Sequence, residues 1–178
     1  MSYEQASMSL VNPLTVIGFV DIAKQLGCKT IIHTAAASSL GRMVNRFLPT
    51  EKINVINIVR RQEQADLLTQ EGAKYILNSS DQDFEAKLTN LIKEFNVKLA
   101  FDAIGGQSTG QLLKLMPKGS TAYVYGSLSK QKTTEVDTID LLYSDKTVKG
   151  FFLPNWLETK GIMKLIPTMY RLRKLLKN

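Results

Sequence analysis

Short apolar runs alternate with amphipathic segments along this chain of 178 residues. Runs rich in Ile, Val and Ala predict six β-strands. These strands are predicted at residues 30–34, 52–59, 75–77, 99–104, 121–125 and 147–153. Helical spacing predicts helices at residues 62–71, 83–95 and 108–116, after Gly41, and at the basic end of the chain. A first helix is predicted from Asn12 as N-cap and Pro13 at its first position up to Gly27.

This alternation predicts an α/β fold with one mostly parallel sheet covered by helices on both faces. Right-handed crossovers then predict the doubly wound Rossmann fold with strand order 3-2-1-4-5-6. The length suits a single domain over residues 1–178. Ligands in such sheets bind beyond the carboxyl ends of the strands, where five loops with turn or polar residues fall. These loops are Ala36–Gly41, Arg60-Arg61, Asn78–Ser80, Gly105-Gly106 and Gly126-Ser127.

The first of these loops is a degraded dinucleotide-binding fingerprint between a strand and a helix. The pattern Gly-x-Gly-x-x-Gly falls on Ala36, Ser38 and Gly41, so only the third glycine is present. That glycine would let the helix approach the strand closely, and Ala36 is small enough for a turn without positive φ. The Ser38 hydroxyl can donate to a phosphate oxygen at the start of a helix. The alternative is a turn that binds nothing, because Ala/Ser-rich turns are common.

The residues after the second predicted strand indicate which dinucleotide would bind. An Asp or Glu at this place accepts hydrogen bonds from the ribose of NAD, whereas an Arg accommodates the 2′-phosphate of NADP. This chain has Arg60 and Arg61 there and no acid. Two guanidiniums at a helix start are unfavourable unless an anion binds, because the helix dipole is positive at that end. The sequence therefore predicts NADP(H), with two solvated arginines as the alternative.

Composition narrows the classes of site. With 44% hydrophobic and 22% charged residues, the chain is predicted to be globular. A single cysteine, Cys28, and a single histidine, His33, predict no internal disulfide and no Cys/His metal site, and both are expected to be structural. No apolar run is long enough to span a membrane, and the N-terminus lacks the features of a signal peptide. We expect a cytoplasmic location.

The net charge of +7 is concentrated near the C-terminus. Four of the last eight residues are basic, namely Arg171, Arg173, Lys174 and Lys177. No aromatic platform accompanies them, so the cluster predicts a solvated helix face rather than binding to nucleic acid.

Taken together, these segments resemble the cofactor-binding half of a medium-chain dehydrogenase/reductase of the zinc-independent quinone reductase type. The resemblance covers about residues 8–175. It depends on Asn12–Thr15, His33–Gly41, Ile58–Arg61, Gly72-Ala73, Phe101–Gly106, Tyr125–Ser129 and Gly150–Phe152. Such relatives carry a GroES-like catalytic domain before this segment, and we expect that domain to be absent from this chain.

The resemblance implies a role for each matched segment. Residues 38–42 would hold the pyrophosphate, the two arginines the adenosine phosphate, and residues 78 and 105–106 the adenosine and its ribose. Residues 15, 126–128 and 151–152 would border the nicotinamide. The expected cofactor-binding residues are thus Thr15, Ala37, Ser38, Ser39, Leu40, Gly41, Arg42, Arg60, Arg61, Asn78, Gly105, Gly126, Ser127, Leu128, Phe151 and Phe152.

The implied reaction is hydride transfer from NADPH to a conjugated carbonyl, a quinone or enone, although no proton donor is evident in this segment. One alternative is a nonenzymatic NADP(H)-binding sensor or interaction module. A second is a short-chain dehydrogenase, since Tyr170 and Lys174 have the required spacing, but no suitable serine lies upstream. The resemblance and the apolar edge strand at residues 147–153 also predict a homodimer.

Overall fold

The computed structural model describes residues 3–133 and 135–160, and its centre is one sheet of six parallel strands in the order β3-β2-β1-β4-β5-β6. The predicted doubly wound α/β fold and its strand order are confirmed. The strands are β1 (Thr30–Thr34), β2 (Asn54–Val59), β3 (Tyr75–Asn78), β4 (Leu99–Asp102), β5 (Thr121–Val124) and β6 (Thr147–Gly150). The helices are α1 (Tyr3–Gln25), α2 (Ser39–Phe47), α3 (Gln62–Gln70), α4 (Phe84–Phe95), α5 (Gln107–Leu115), α6 (Thr138–Tyr143) and α7 (Leu153–Glu158), with a 3-10 turn at Leu48–Glu51.

Each face of the sheet has its own apolar core. Because successive side chains of a strand point to opposite faces, Ile31 packs into one core and Ile32 into the other. The first core lies beneath α1 and α2, where the ring of Phe19 stacks on that of Phe101 with 3.8 Å between centroids. The second core lies beneath α4 and α5 and includes Leu88. Burial on both faces explains why the strands are continuous apolar runs.

The start of the first helix was predicted wrongly. Pro13 lies inside α1 rather than at its first position, and Asn12 does not cap it. A proline inside a helix loses one backbone hydrogen bond and crowds the carbonyl four residues earlier, at a cost of about 3 kcal/mol. The apolar side chains that α1 packs into the first core offset this cost. The predicted end is confirmed. Gly27 has φ 66°, its N–H donates to the carbonyl of Lys24, and the next N–H donates to that of Ala23. This pair of bonds is the Schellman motif.

Four predicted strands, β2, β4, β5 and β6, are shorter in the structure. The chain makes the 3-10 turn and a left-handed residue, Lys52 with φ 62°, before β2 begins. At the other end, β6 stops at Gly150 instead of residue 153, because Phe151 turns into the first core against Phe19, with ring centroids 5.2 Å apart. A Cβ on Gly18 would lie 2.7 Å from the Phe151 ring, so any other residue in α1 at this position would force that ring to shift. Helices α6 and α7 were not predicted.

The predicted basic helix with its four cations, and the Tyr170–Lys174 pair, lie outside the described residues. Within the described ranges, every helix is too short or too polar to cross a bilayer.

Candidate functional site

Two crevices open at the carboxyl edge of the sheet, on either side of the turn between β1 and α2. The first has a volume of 740 Å³ and is lined by Thr34, Arg60, Ser79 and Gly105, among others. The second has a volume of 530 Å³ and is lined by Thr15, Ala35, Ser38, Leu40, Tyr125, Gly126, Leu128, Phe151 and Phe152, among others. The strand order reverses between β1 and β4, and this is the switch point where ligands of doubly wound sheets bind.

The turn between the crevices ends at the N-terminus of α2. Ser38 is the N-cap of α2, and its Oγ accepts a hydrogen bond of 3.1 Å from the N–H of Gly41. A hydroxyl that accepts this bond still has its own hydrogen to donate to an anion. The expectation that the turn avoids positive φ is wrong, since Ala35 has φ 51°. A left-handed alanine is strained by about 1–2 kcal/mol, and at this site glycine would be free of that strain.

Gly41 allows α2 to come close to the turn, as its position in the fingerprint predicts. A Cβ added to it would lie 2.6 Å from the carbonyl carbon of Ala36, a distance that backbone atoms cannot tolerate. Ala36 is itself fully buried, so neither partner can move outward.

Beneath both crevices, the buried carboxylate of Asp102 organises the ends of β1 and β4. It accepts hydrogen bonds of 2.7 Å from the hydroxyls of Thr34 and Thr109. The backbone N–H groups of Ile104 and Gly105 donate to it at 3.0 and 3.2 Å. Sequence reasoning assigned no role to Asp102. The sequence feature that could have identified Asp102 is an acidic residue at the end of an apolar strand, shortly before two glycines.

The buried His33 and the partly buried Tyr125 form a pair between α1 and the second crevice. The Nε2 of His33 lies 2.7 Å from the hydroxyl of Tyr125, and His33 is fully buried. Burial lowers the pKa of His33 to about 3, so the imidazole is neutral. Burial, followed by the charge of Asp102, raises the pKa of Tyr125, which leaves its phenol a weak acid. His33 is therefore an interior residue, as predicted.

The two arginines after β2 are exposed and differ in placement. Arg60 lines the first crevice, whereas Arg61 is the N-cap residue of α3. No carboxylate in residues 3–133 or 135–160 forms an ion pair with either of them. Arg42 differs, because its Nε donates to Glu71 at 2.7 Å and its Nη2 pairs with the same oxygen. The hydrogen bond from Arg42 also lowers the pKa of Glu71.

The structure brings most of the expected residues to the two crevices. Arg60 and Gly105 line the first, and seven line the second, namely Thr15, Ser38, Leu40, Gly126, Leu128, Phe151 and Phe152. The other expected residues line neither crevice, namely Ala37, Ser39, Gly41, Arg42, Arg61, Asn78 and Ser127. The Oδ1 of Asn78 instead accepts from the N–H of Ser80, which shapes the loop after β3. Sequence reasoning did not select Thr34, which lines the first crevice, and it named Ser79 only as part of the loop after the third strand.

The described ranges contain no three His, Cys, Asp or Glu side chains grouped to hold a metal ion.

Comparison with known proteins identifies one family. Residues 39–168 match the family model described as zinc-binding dehydrogenase. A Mesorhizobium loti structure assigned as an NADPH:quinone reductase superposes with a TM-score of 0.87 and 30% identity, covering 99% of this chain and 51% of that one. The mitochondrial enoyl-acyl-carrier-protein reductase of Xenopus tropicalis is 30% identical over 85% of this chain and 44% of its own length.

A third similarity is one of fold alone. The complex of Etr1p with NADP and crotonyl-CoA superposes with a TM-score of 0.75 at 20% identity, covering 98% of this chain and 50% of that one. The chain thus spans about half the length of each of these three proteins.

Replacing Gly41 by alanine should destabilise the turn. The added Cβ meets backbone rather than a movable side chain, so we expect a loss of about 1–3 kcal/mol in the free energy of unfolding. Gly150→Ala is the matched control, because a Cβ there meets no atom within 4 Å. Urea denaturation of both variants measures the difference. Equal stability of the two variants would show that Gly41 is not sterically required.

Stability should fall as the pH is lowered from 7 to 5. The unfolded chain binds a proton at His33 with a pKa near 6.5, whereas the folded chain does not until about pH 3. The linkage amounts to about 2 kcal/mol over this range. His33 is the only histidine, so urea denaturation of His33→Gln should show a much flatter dependence. A variant with the wild-type slope would contradict the assignment.

Proposed function

We propose that this chain, which belongs to the zinc-binding dehydrogenase family, is the NADP(H)-binding domain of an oxidoreductase. The family lies within the medium-chain dehydrogenase/reductase superfamily. The proposal treats residues 1–178 as one dinucleotide-binding domain. The observation that carries it is the pair of guanidiniums of Arg60 and Arg61 at the carboxyl end of β2, beside the switch-point crevice. Neither forms an ion pair within residues 3–133 and 135–160. Cations there suit a 2′-phosphate, whereas an Asp or Glu at this place would suit a free 2′-hydroxyl.

The proposed placement of the cofactor follows the two crevices. The pyrophosphate would lie on the turn that Ser38 caps, where the helix dipole and backbone N–H groups favour an anion. The adenosine half would occupy the first crevice, with Arg60 at its rim and Gly105 on its wall. The nicotinamide would occupy the second crevice between Gly126 and Phe151. When bound, the cofactor supplies the hydride, and the protein supplies position and electrostatics.

The proposed position of the cofactor also gives roles to the residues near the turn between β1 and α2. Residues 37–42 would surround the pyrophosphate, with Gly41 acting by letting α2 come close. Arg42 would act through its ion pair with Glu71, which fixes the side of α2 away from the crevices. Thr15, Ser127, Leu128 and Phe152 would border the nicotinamide, and Asn78 would shape the adenosine wall.

The proposed substrate is a conjugated carbonyl, a quinone or an enone. The similarity to an NADPH:quinone reductase and to an enoyl reductase supports this class. A quinone and an enoyl thioester share an electron-poor double bond conjugated to a carbonyl group. Around the second crevice, Leu128 and Phe152 have exposures of 66% and 63%, so the apolar surface beside the proposed nicotinamide is open for such a substrate. A cytoplasmic location remains a prediction.

NADPH should bind more tightly than NADH, because the 2′-phosphate gains charged hydrogen bonds that are lost when both arginines become alanine. The expected loss in the double variant Arg60→Ala, Arg61→Ala is about 10- to 100-fold for NADPH, with little change for NADH. The matched control is Lys29→Ala, Lys98→Ala, which removes two exposed cations at the opposite edge of the sheet. Isothermal titration calorimetry with both cofactors measures these affinities. Equal wild-type affinities would refute the cofactor proposal.

We also propose a homodimer through β6. This strand is at the edge of the sheet, although it spans residues 147–150 rather than the predicted 147–153. The N–H groups of Thr147 and Phe151 donate inward, to the carbonyls of Ser120 and Val124. By alternation along the strand, the N–H of Val148 points outward. Helix α6, which precedes β6 in the chain, exposes apolar side chains, with Leu142 70% and Tyr143 71% exposed. A two-fold pairing would satisfy both edges with one contact.

Val148→Pro should convert the dimer to a monomer without unfolding it, because it removes a donor that faces outward. Val148→Thr keeps the N–H and should stay dimeric. Light scattering at several concentrations reports the mass, and circular dichroism reports the fold. Wild-type protein that is monomeric at high concentration would refute this proposal.

A further inference from the structure

The backbone of the Arg60-Arg61 turn is held from outside by two side chains. The Oε1 of Gln64, in the first turn of α3, accepts the N–H of Arg60 at 3.1 Å and that of Arg61 at 3.2 Å. From the other side, the Oγ of Ser80 donates to the carbonyl of Arg60 at 2.9 Å. Three hydrogen bonds therefore fix two peptide groups in a short exposed turn.

This turn conflicts with ordinary helix starts. N-cap residues are usually Ser, Thr, Asp or Asn, whose oxygens accept free backbone N–H groups, and cations are unfavourable there. Arg61 occupies the N-cap of α3 and makes no such bond. Gln64 supplies only the reciprocal half of a capping box. A bound anion would remove the electrostatic conflict, so this local arrangement suits an anion better than it suits the helix alone.

The support extends to the neighbouring loop. The N–H of Ser80 donates to the Oδ1 of Asn78 at 3.1 Å, and the N–H of Ser79 donates to the carbonyl of Val59 at 2.8 Å. The loops after β2 and β3 thus form one hydrogen-bonded unit. Arg60 and Ser79 from this unit both line the first crevice.

We propose that Gln64 and Ser80 are positioning residues that set the preference for a 2′-phosphorylated dinucleotide, by holding the two guanidinium-bearing residues in place before the ligand arrives. This inference rests on the proposed cofactor. If the turn were loose, binding would have to order its backbone, and fixing one residue corresponds to about a tenfold loss of affinity. The loss falls on ligands with the 2′-phosphate, because ligands without it do not use the arginines.

The test compares affinities for NADPH and NADH by calorimetry, with 2′,5′-ADP and 5′-AMP as fragments that isolate the phosphate. Gln64→Ala should weaken NADPH and 2′,5′-ADP about tenfold and change NADH and 5′-AMP less than about twofold. Gln62→Ala is the matched control. It removes the same residue type from the same helical turn, but its side chain bonds to Asp66 and not to the arginine turn.

Ser80→Ala is the second variant, since it leaves α3 intact if Gln64→Ala fails to fold. It should also lower the NADPH-to-NADH preference, and Ser80→Thr, which keeps the hydroxyl, should restore it. An equal loss for all four ligands would show a merely structural role and overturn the inference. Unchanged preference in both alanine variants of a wild type that prefers NADPH would overturn the inference alone. A wild type without preference would overturn the cofactor proposal and the inference together.

Discussion

The buried carboxylate of Asp102 is the interaction on which the rest of the candidate site depends. A carboxylate away from water is unfavourable unless donors surround it, and here threonine hydroxyls and backbone N–H groups do so. Those donors come from the end of β1, the loop after β4 and the first turn of α5. One anion therefore fixes three segments relative to one another. Both crevices are bounded by these segments, so their shapes follow from the satisfaction of this single charge.

The fold could be predicted because its signals are local and repeated. Apolar runs such as Ile31-Ile32 have to be buried on both faces, and only strands between helices allow that. The helix end at Gly27 and the close approach at Gly41 were predictable for a steric reason, since each position excludes a side chain or favours positive φ. The errors were of another kind. Pro13 is compatible with a helix start and with a helix interior, and the alternatives differ only in tertiary context.

The position of the candidate site on the sheet could be predicted from the sequence, but the contacts between its side chains could not. Loop positions follow from strand order, so Arg60, Gly105 and Gly126 could be placed at one edge from the sequence. Which side chains meet there depends on contacts between residues far apart in the chain, such as Ser80 with Arg60 or His33 with Tyr125. No periodicity encodes these pairs. Arg42 is a further example. Its position in the fingerprint predicted binding to phosphate, whereas its guanidinium forms an ion pair with Glu71, which is distant in sequence and comes close only in the folded chain.

The separation of the two crevices by the Ser38 turn makes any ligand that fills both a bivalent one. Each half of such a ligand meets its own set of walls, and the link between the halves crosses the helix N-terminus. Once one half is seated, the other is confined near its crevice at a high effective concentration, so the whole binds far more tightly than either part alone. The distance between the crevices then selects ligands by length. A molecule whose two ends fit the crevices, but whose linker cannot span the distance between them, does not gain the increase in affinity that comes from binding both.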